Sequence, residues 1–290
     1  MRHPLTAIRH ICHAPVLLLA LWASVAFSAV AVANDAAVAV PGFWGMELRT
    51  QKPDLVGARV VRFLTDDEFP PLHFAGADGQ PTGFSVELAR AACALLELNC
   101  TVQARRFDTL LESLADRRGD VIAAAIPIRA SLRERFSVTA PYHRTPARFA
   151  ARREAAAVVP TPVSLAGRRV AVVRGTAHEA FLATFFPRAE QVPVADLAQG
   201  QDSLKEGSAD FLFADGMSLA MWLNGAAAAG CCGFSGGPYL ESRFFGEGVG
   251  FIVRNDDTAL RDALDYALRK LWENGTYAEI YLRHFPVGFY

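Results

Sequence analysis

Asp215 is a carboxylate placed where it could hold a cation. It directly follows the apolar run Ala209 to Ala214, which predicts a short buried strand. A carboxylate at the end of such a strand is desolvated and needs a cation or hydrogen-bond donors. The alternative is that Asp215 caps a helix that starts after Gly216, because aspartate is a common N-cap residue. The position therefore predicts an ammonium-binding group or a helix cap.

Gly175 and Thr176 lie at a second strand end, where an anion could bind. They follow the apolar run Arg169 to Val173, which predicts a buried strand, and a helix is predicted from about Ala177. Free backbone N–H groups and the positive end of a helix attract a carboxylate. His178 is next, and it either contacts a bound molecule or is an ordinary first-turn residue.

An aromatic ring in a proline-rich loop could form an apolar wall for a ligand. Phe69 lies between Glu68 and the pair Pro70-Pro71, which fixes the backbone and lowers the entropy cost of presenting the ring. The alternative is that Phe69, like Phe74, is an ordinary core residue.

The elements that would position these residues alternate between strand and helix. After an apolar strand at Phe63, the pattern predicts a helix from Phe84 to about Leu98, a second helix from Phe107 to Arg118 and a buried strand from Asp120 to Ile126. Loops at the carboxyl ends of such strands are where open α/β sheets form ligand sites.

The second half of the chain predicts two places where it crosses between α/β units. Arg148 to Arg152 and Glu247 to Arg254 read as extended crossing segments, and the Gly/Ala-rich stretch from Asn224 to Gly237 reads as a flexible loop. Helices are predicted from Thr258 to Leu271 and from Tyr277 to Phe285. Two lobes joined by two strands can bend about those strands.

These patterns divide the chain into five segments. We predict a signal peptide at residues 1–33, a leader at 34–57, a first lobe at 58–149 that is completed by 250–290, and a second lobe at 150–249.

The N-terminal segment is typical of an exported protein. Arg2 and Arg9 precede an uncharged stretch from Ala14 to Ala33, and small residues stand before Asn34. A basic start, an apolar middle and an A-x-A end predict a cleaved secretory signal peptide and a mature protein in the periplasm. The alternative is an uncleaved anchor, because a bilayer requires about 20 apolar residues.

Composition excludes one class of partner. The chain has 290 residues with a formal net charge of −1, and without residues 1–33 it has 27 basic against 30 acidic residues. A nucleic-acid surface would need a clustered basic excess, so we predict no nucleic-acid partner. We also predict no cofactor.

Four cysteines follow the predicted signal peptide. Cys93 and Cys100 lie at the end of a predicted helix and the start of the next strand, and they could form a bridge or remain two buried thiols. Cys231 and Cys232 are adjacent and could be bridged, free or redox-sensitive. No histidine or carboxylate cluster accompanies them, so we predict no metal site.

Four motifs occur in an order that resembles family 3 of the bacterial periplasmic solute-binding proteins, the polar amino-acid class. They are DDEFPPL at residues 66–72, GQPTGFSVELA at 79–89, GDVIAA at 119–124 and FSVTAPY at 136–142. The resemblance implies an α/β fold of the two-lobed periplasmic binding protein type (type II), with the two crossing strands as its hinge. It also implies a disulfide between Cys93 and Cys100.

The resemblance assigns ligand contacts to most of the residues above. It implies that Asp66, Phe69 and Phe107 contact a ligand in the cleft, that Asp215 holds its α-ammonium and that Thr176 holds its carboxylate. Phe107 has the alternative of a helix-start core residue. Ala177 stands where the family has a hydroxyl donor.

The chain departs from the family pattern between residues 123 and 133. Small hydroxyl residues and a carboxylate-binding arginine are usual there, but this chain has Ala125, Pro127, Arg129 and, at the place of that arginine, Leu132. Either Arg133, the nearest, or Arg129 could supply the bidentate guanidinium. The alternative is that both are solvated arginines at a charged helix start.

Three functions compete. The first is a monomeric binding protein that captures a small polar, amino-acid-like ligand and delivers it to an ABC transporter permease. The second is a periplasmic enzyme resembling cyclohexadienyl dehydratase, in which Glu68 or His178 would act as acid or base; no recognisable catalytic pairing supports it, and we predict no enzyme activity. The third is a ligand-sensing accessory protein.

Overall fold

The computed structural model describes residues 38–43 and 60–290. The predicted signal peptide and most of the predicted leader lie outside the described residues. The strands are β1 (Val61–Thr65), β2 (Glu68–Phe69), β3 (His73–Ala75), β4 (Pro81–Thr82), β5 (Cys100–Ala104), β6 (Val121–Ile122), β7 (Phe136–Val138), β8 (Ala147–Arg152), β9 (Arg169–Val173), β10 (Glu190–Val194), β11 (Phe211–Asp215), β12 (Cys232–Tyr239) and β13 (Ile252–Arg254). The α-helices are α1 (Phe84–Leu96), α2 (Leu110–Ala115), α3 (Ala130–Arg135), α4 (Ala177–Phe185), α5 (Leu197–Glu206), α6 (Gly216–Asn224), α7 (Ser242–Phe245), α8 (Thr258–Glu273) and α9 (Thr276–His284).

Two five-stranded sheets organise the chain. The first has the order β5-β1-β6-β13-β7, in which β1 runs parallel to β5 and β6, whereas β13 is antiparallel to β6 and β7. The second has the order β10-β9-β11-β8-β12, in which β9 runs parallel to β10 and β11, whereas β8 is antiparallel to β11 and β12. The chain leaves the first sheet after β7 and returns to it at β13.

Helix α1 shows how the sequence specifies an element of the first sheet's layer. Phe84, Leu88 and Leu96 recur at helical spacing and are buried against the sheet. Gly83 precedes the helix with φ 110°, and a Cβ there would lie 2.6 Å from the Leu72 carbonyl oxygen. The helix ends at Glu97, which adopts the left-handed conformation.

The two chain crossings lie side by side. Ile128 donates a backbone hydrogen bond to the Gly248 carbonyl at 2.8 Å and accepts one from Glu247 at 3.2 Å. Arg148 to Arg152, predicted as a crossing segment, instead belong to β8 inside the second sheet. The outgoing crossing is residues 139–146, in which His143 forms a β-bridge with Val249 of the returning crossing, residues 240–251. The segment after β6 is therefore fastened to the returning crossing.

The predicted loop from Asn224 to Gly237 is wrong over most of its length. Ala226–Ala228 form a turn of 3-10 helix, and Cys232 begins β12, which pairs with β8 along the edge of the second sheet. Glycine has low strand propensity. The edge of β8 that does not face β11 supplies the hydrogen bonds that hold this segment extended.

The predicted second helix is also too long. Phe107–Thr109 form a 3-10 turn, and the α-helix that follows ends at Ala115. The predicted strand from Asp120 to Ile126 pairs only at Val121–Ile122, between β1 and β13, and after Ala123 the chain turns out of the sheet, where Ile126 donates to the Ala124 carbonyl.

Two disulfides connect neighbouring segments. Cys93 of α1 is bonded to Cys100 of β5, with Cα atoms 6.3 Å apart. Cys231 is bonded to Cys232 at the start of β12.

Candidate functional site

The second sheet brings two candidate groups to one edge. Because β9 and β11 are parallel neighbours, their carboxyl ends meet at the same edge of the sheet. Gly175 and Thr176 follow β9, and Asp215 is the last residue of β11. An anion-binding turn and a carboxylate are therefore neighbours there.

Asp215 is a half-buried carboxylate that caps the helix following it. Its Oδ1 accepts hydrogen bonds from the N–H and the hydroxyl of Ser218, each at 2.8 Å, and so caps α6. Burial raises the pKa of Asp215 above its usual range, although the bonds from Ser218 oppose that shift. Among the described residues, no lysine, arginine or histidine forms an ion pair with Asp215. The cap and an ammonium site are thus compatible, because the bonds from Ser218 bring no positive charge to the carboxylate.

The turn after β9 is partly occupied by the protein's own side chains. The Thr176 hydroxyl donates to the Val173 carbonyl at 2.7 Å and accepts from the Glu179 N–H at 3.3 Å. The Gly175 N–H donates to Glu179 Oε2 at 2.7 Å. The Thr176 hydroxyl proton is therefore committed, and the first backbone N–H groups of α4 are the donors that face no acceptor within the described part of the chain.

His178 lies among aromatic rings. Its ring centroid is 5.1 Å from that of Phe245 and 5.7 Å from that of Phe213. Burial lowers the pKa of His178 to about 4, so the ring is neutral at pH 7. Across the described residues, neither His178 nor the exposed Glu68 has a polar side-chain partner of the kind that acid–base catalysis needs.

The first sheet also collects candidates at one edge. Strands β1, β5 and β6 are parallel neighbours, so Asp66, Phe107 and Ala125 follow their carboxyl ends at the same edge. A cavity of about 630 Å³ opens there. It is lined by Asp66, Asp67, Glu68, Ala104, Arg105, Arg106, Phe107 and Asp108.

Two aromatic rings are exposed at this edge. Phe69 is 47% exposed and Phe107 is 51% exposed, which is unusual for rings of this size. The alternative that either is a core residue is therefore wrong. An exposed ring beside a cavity can stack on a ligand or hold a cation over its face.

Asp66 and Ala125 both contact the same buried histidine. His73 is fully buried on β3, with Nδ1 3.0 Å from Asp66 Oδ1 and Nε2 accepting a hydrogen bond from the Ala125 N–H at 2.9 Å. The Phe69 ring stacks on the imidazole with a centroid distance of 5.6 Å. His73 thus contacts three of the predicted ligand residues.

The two candidate arginines differ in their partners. Arg133 forms a 2.6 Å ion pair with Glu247 of the returning crossing. Arg129 and Pro127 are exposed, and the Arg129 guanidinium has no hydrogen-bond or ion-pair partner among the described residues. Arg129 is also the N-cap residue of α3, and its carbonyl accepts from the N–H groups of Leu132 and Arg133.

Sequence reasoning missed four residues that shape these edges. Glu179 closes the turn after β9, Ser218 orients Asp215, His73 links two ligand segments and Glu247 pairs with Arg133. The spacing Thr176 to Glu179 is a capping-box signal that could have been found. The other three depend on contacts between distant segments.

Neither a metal-binding cluster nor a helix able to cross a bilayer occurs within residues 38–43 and 60–290. In these residues, histidine, cysteine, aspartate and glutamate side chains do not come together in threes where they could hold a metal ion, and the helices are too short or too polar to span a membrane.

Sequence comparison matches most of the chain to one family model. The model of the bacterial extracellular solute-binding proteins, family 3, matches residues 61–287.

Characterised relatives include three amino-acid-binding proteins. The putative ABC transporter arginine-binding protein 2 of Escherichia coli K12 is 31% identical over 79% of this chain and 91% of its own. The L-arginine-binding protein of Pseudomonas aeruginosa is 28% identical over 82% and 92%, and the histidine-binding periplasmic protein of Salmonella typhimurium is 26% identical over 79% and 89%.

Solved structures share the fold. The L-cystine solute receptor of Neisseria gonorrhoeae superposes with a TM-score of 0.69 at 20% identity, covering 79% of this chain and 94% of that one. The second substrate-binding domain of Lactococcus lactis GlnP gives a TM-score of 0.66 at 20% identity, covering 81% and 98%. The predicted two-lobed α/β fold is thereby confirmed.

Proposed function

The chain belongs to the bacterial extracellular solute-binding proteins, family 3, and we propose that it captures a free amino acid between its two lobes and delivers it to an ABC transporter. Relatives named as arginine- and histidine-binding proteins of this class support the proposal.

The observation that carries the proposal is Asp215. A carboxylate that is partly desolvated and lacks an ion-pair partner is costly unless a cation completes it. Because Ser218 holds Oδ1, the Asp215 carboxylate is fixed in one orientation toward a bound donor. An α-ammonium supplies a positive charge and three donors at that place.

The ligand's carboxylate has two sources of donors. The unpaired N–H groups at the start of α4 lie at the same sheet edge as Asp215. The free guanidinium of Arg129 could add two parallel hydrogen bonds. Together they would hold the two charged ends of a zwitterion.

The exposed rings favour a cationic side chain. Phe69 and Phe107 stand at the edge of the first sheet, where the cavity is lined by four acidic residues (Asp66, Asp67, Glu68 and Asp108) and by Arg105 and Arg106, of which Arg106 is ion-paired with Asp108. Aromatic faces and nearby carboxylates both attract a guanidinium or an imidazolium. Arginine and histidine are therefore the first ligands to test.

The remaining predictions complete the proposal. The mature protein would act as a monomer in the periplasm after signal-peptide cleavage, with its lobes at residues 58–149 with 250–290 and at 150–249. The relatives named as periplasmic proteins support that location.

The test is calorimetric titration of the mature protein with arginine, histidine, lysine and glutamine at pH 7.5. Arginine amide and N-acetylarginine, which lack one charged end each, serve as ligand controls. At least one free amino acid should bind, and both blocked forms should bind at least tenfold more weakly. No binding across the panel would refute the proposal.

Asp215→Asn is the decisive variant. Asparagine keeps the oxygen that caps α6 but removes the charge, so affinity should fall by about 2–5 kcal/mol while the fold is kept. Asp265→Asn is the matched control, because Asp265 is a buried carboxylate that also has a raised pKa and lies on α8. Normal binding by Asp215→Asn would contradict the ammonium assignment.

A further inference from the structure

His73 stands at the junction of three candidate ligand residues. It contacts Asp66 after β1 and the Ala125 N–H after β6, and its ring stacks on Phe69 of β2. These residues come from segments up to 59 positions apart in the chain. His73 itself is fully buried and lies behind them.

The hydrogen bonds of the ring define its tautomer. A neutral imidazole has one N–H donor and one acceptor. Because Nε2 accepts from the Ala125 N–H, the ring proton is on Nδ1, and it faces the Asp66 carboxylate 3.0 Å away. His73 therefore holds Ala125 through an acceptor, and it places Nδ1 against the Asp66 carboxylate at 3.0 Å without completing a well-aligned hydrogen bond there.

We propose that His73 is a positioning residue that fixes Asp66 and the segment after β6 for ligand binding, and that its protonation releases that segment. The proposal rests on the function proposed above. Protonation would place a second N–H on Nε2, directed at the Ala125 N–H, so two donors would face each other. The segment from Ala125 to Arg129 would then lose its link to β3.

The surroundings of His73 define how it titrates. Burial lowers the pKa of His73 below its usual value, and Asp66 opposes part of that shift. On neighbouring elements, Glu68 of β2 is exposed and Glu87 of α1 is bonded to Arg283 and His284. The segment after β6 carries no titratable side chain before Arg129. The pKa of the His73 ring is thus set mainly by its burial and by Asp66.

The first measurement needs no ligand. Imidazole nitrogen NMR of the ligand-free protein should show neutral His73 with its proton on Nδ1. The Ala125 amide resonance should titrate with that ring in the wild type and stay constant in His73→Gln. A proton on Nε2 of the neutral ring would overturn the proposal.

The second measurement is affinity as a function of pH. At pH 7.5, His73→Gln, which keeps an acceptor oxygen, should bind the best ligand within about threefold of wild type, whereas His73→Leu should lose tenfold or more. Between pH 7.5 and 5.0, wild-type affinity should fall at least threefold more than that of His73→Gln. Asp215 and its raised pKa are common to both proteins, so its contribution cancels.

The outcomes separate the two proposals. His284→Gln controls for the loss of a histidine. His284 lies at the end of α9, where it contacts Glu87, and the variant should match the wild type in affinity. Unchanged affinity in His73→Leu, or identical pH profiles in wild type and His73→Gln, would refute the role of His73. If His73→Leu does not fold, the pH profiles and the tautomer still decide. A wild type that binds none of the amino acids refutes the proposed function instead, and with it any role of His73 in binding.

Discussion

Asp265 is a buried carboxylate whose charge works against the folded state. Its Oδ1 accepts from the Ala140 N–H at 2.7 Å, and its Oδ2 lies 3.9 Å from Arg261 Nε. Burial nevertheless raises the pKa of Asp265 to about 6. The folded state therefore binds this proton more tightly than the unfolded chain does, and the resulting stability is present below pH 4 and lost as pH rises through 6.

We expect Asp265→Asn to become the more stable protein as pH rises. Asparagine keeps the acceptor for Ala140 without the charge. The free energy of unfolding of the variant, minus that of wild type, should increase by roughly 1–3 kcal/mol between pH 4 and pH 7.5. Urea unfolding of both proteins at several pH values measures this. A constant difference would contradict the raised pKa.

Arg129 and Arg133 should differ in their effect on binding. The guanidinium of Arg133 is paired with Glu247, whereas that of Arg129 is exposed and has no partner in the described part of the chain. We therefore expect Arg129→Gln to lower amino-acid affinity about tenfold or more and Arg133→Gln by less than threefold. Calorimetry on the two variants decides it, and the reverse order would favour the position nearest the family's usual arginine.

At the scale of elements, the Glu179 side chain competes with a ligand carboxylate for the N-terminal end of α4. The Glu179 carboxylate accepts from the Gly175 N–H, which puts a negative charge where a ligand carboxylate would bind. Glu179→Gln keeps an acceptor but removes the charge. Affinity for arginine should rise about three- to tenfold, and affinity for arginine amide should stay constant.

A charge-matched variant isolates the effect of Glu179. Glu206→Gln changes an exposed carboxylate at the end of α5 and should leave both affinities unchanged. Equal changes for arginine and its amide in Glu179→Gln would point to a general electrostatic effect and contradict a local one.

The elements that were predictable are those with a strong internal period. Helix α8 was predicted from Thr258 to Leu271 and spans Thr258–Glu273, and β9 was predicted at the residues it occupies. β12 was missed because its glycines have no strand pattern, and its pairing with β8 is a long-range contact. The same reason explains the candidate site. Asp215 could be placed from one strand end, whereas the contacts of His73 needed three separate segments.

At the scale of the whole molecule, the two crossings between the sheets pass each other at Gly248. Gly248 has φ 109°, and a Cβ there would lie 2.5 Å from both the Arg144 Cγ and the His143 carbonyl oxygen. Its carbonyl also accepts from Ile128. The returning crossing thus requires glycine where it passes the outgoing one.

Gly248→Ala should therefore destabilise the protein by about 1–3 kcal/mol or more, through backbone strain and the close contacts. Thermal unfolding measures the loss. Gly288→Ala is the matched control, because a Cβ at Gly288 meets nothing within 4 Å, and its midpoint should match the wild type. An unchanged midpoint for Gly248→Ala would mean that the crossing can shift at little cost.

The order of strands in the first sheet has a consequence for the order in which the chain can fold. β13, at residues 252–254, lies between β6 and β7, so the first sheet lacks an interior strand until nearly the whole chain is available. The strands of the second sheet all lie between residues 147 and 239. As the chain emerges from its N-terminus, the second sheet can therefore assemble before the first sheet receives its last interior strand. The part of the chain that emerges first is the last to complete its sheet, and its apolar strands stay exposed to aggregation for longest.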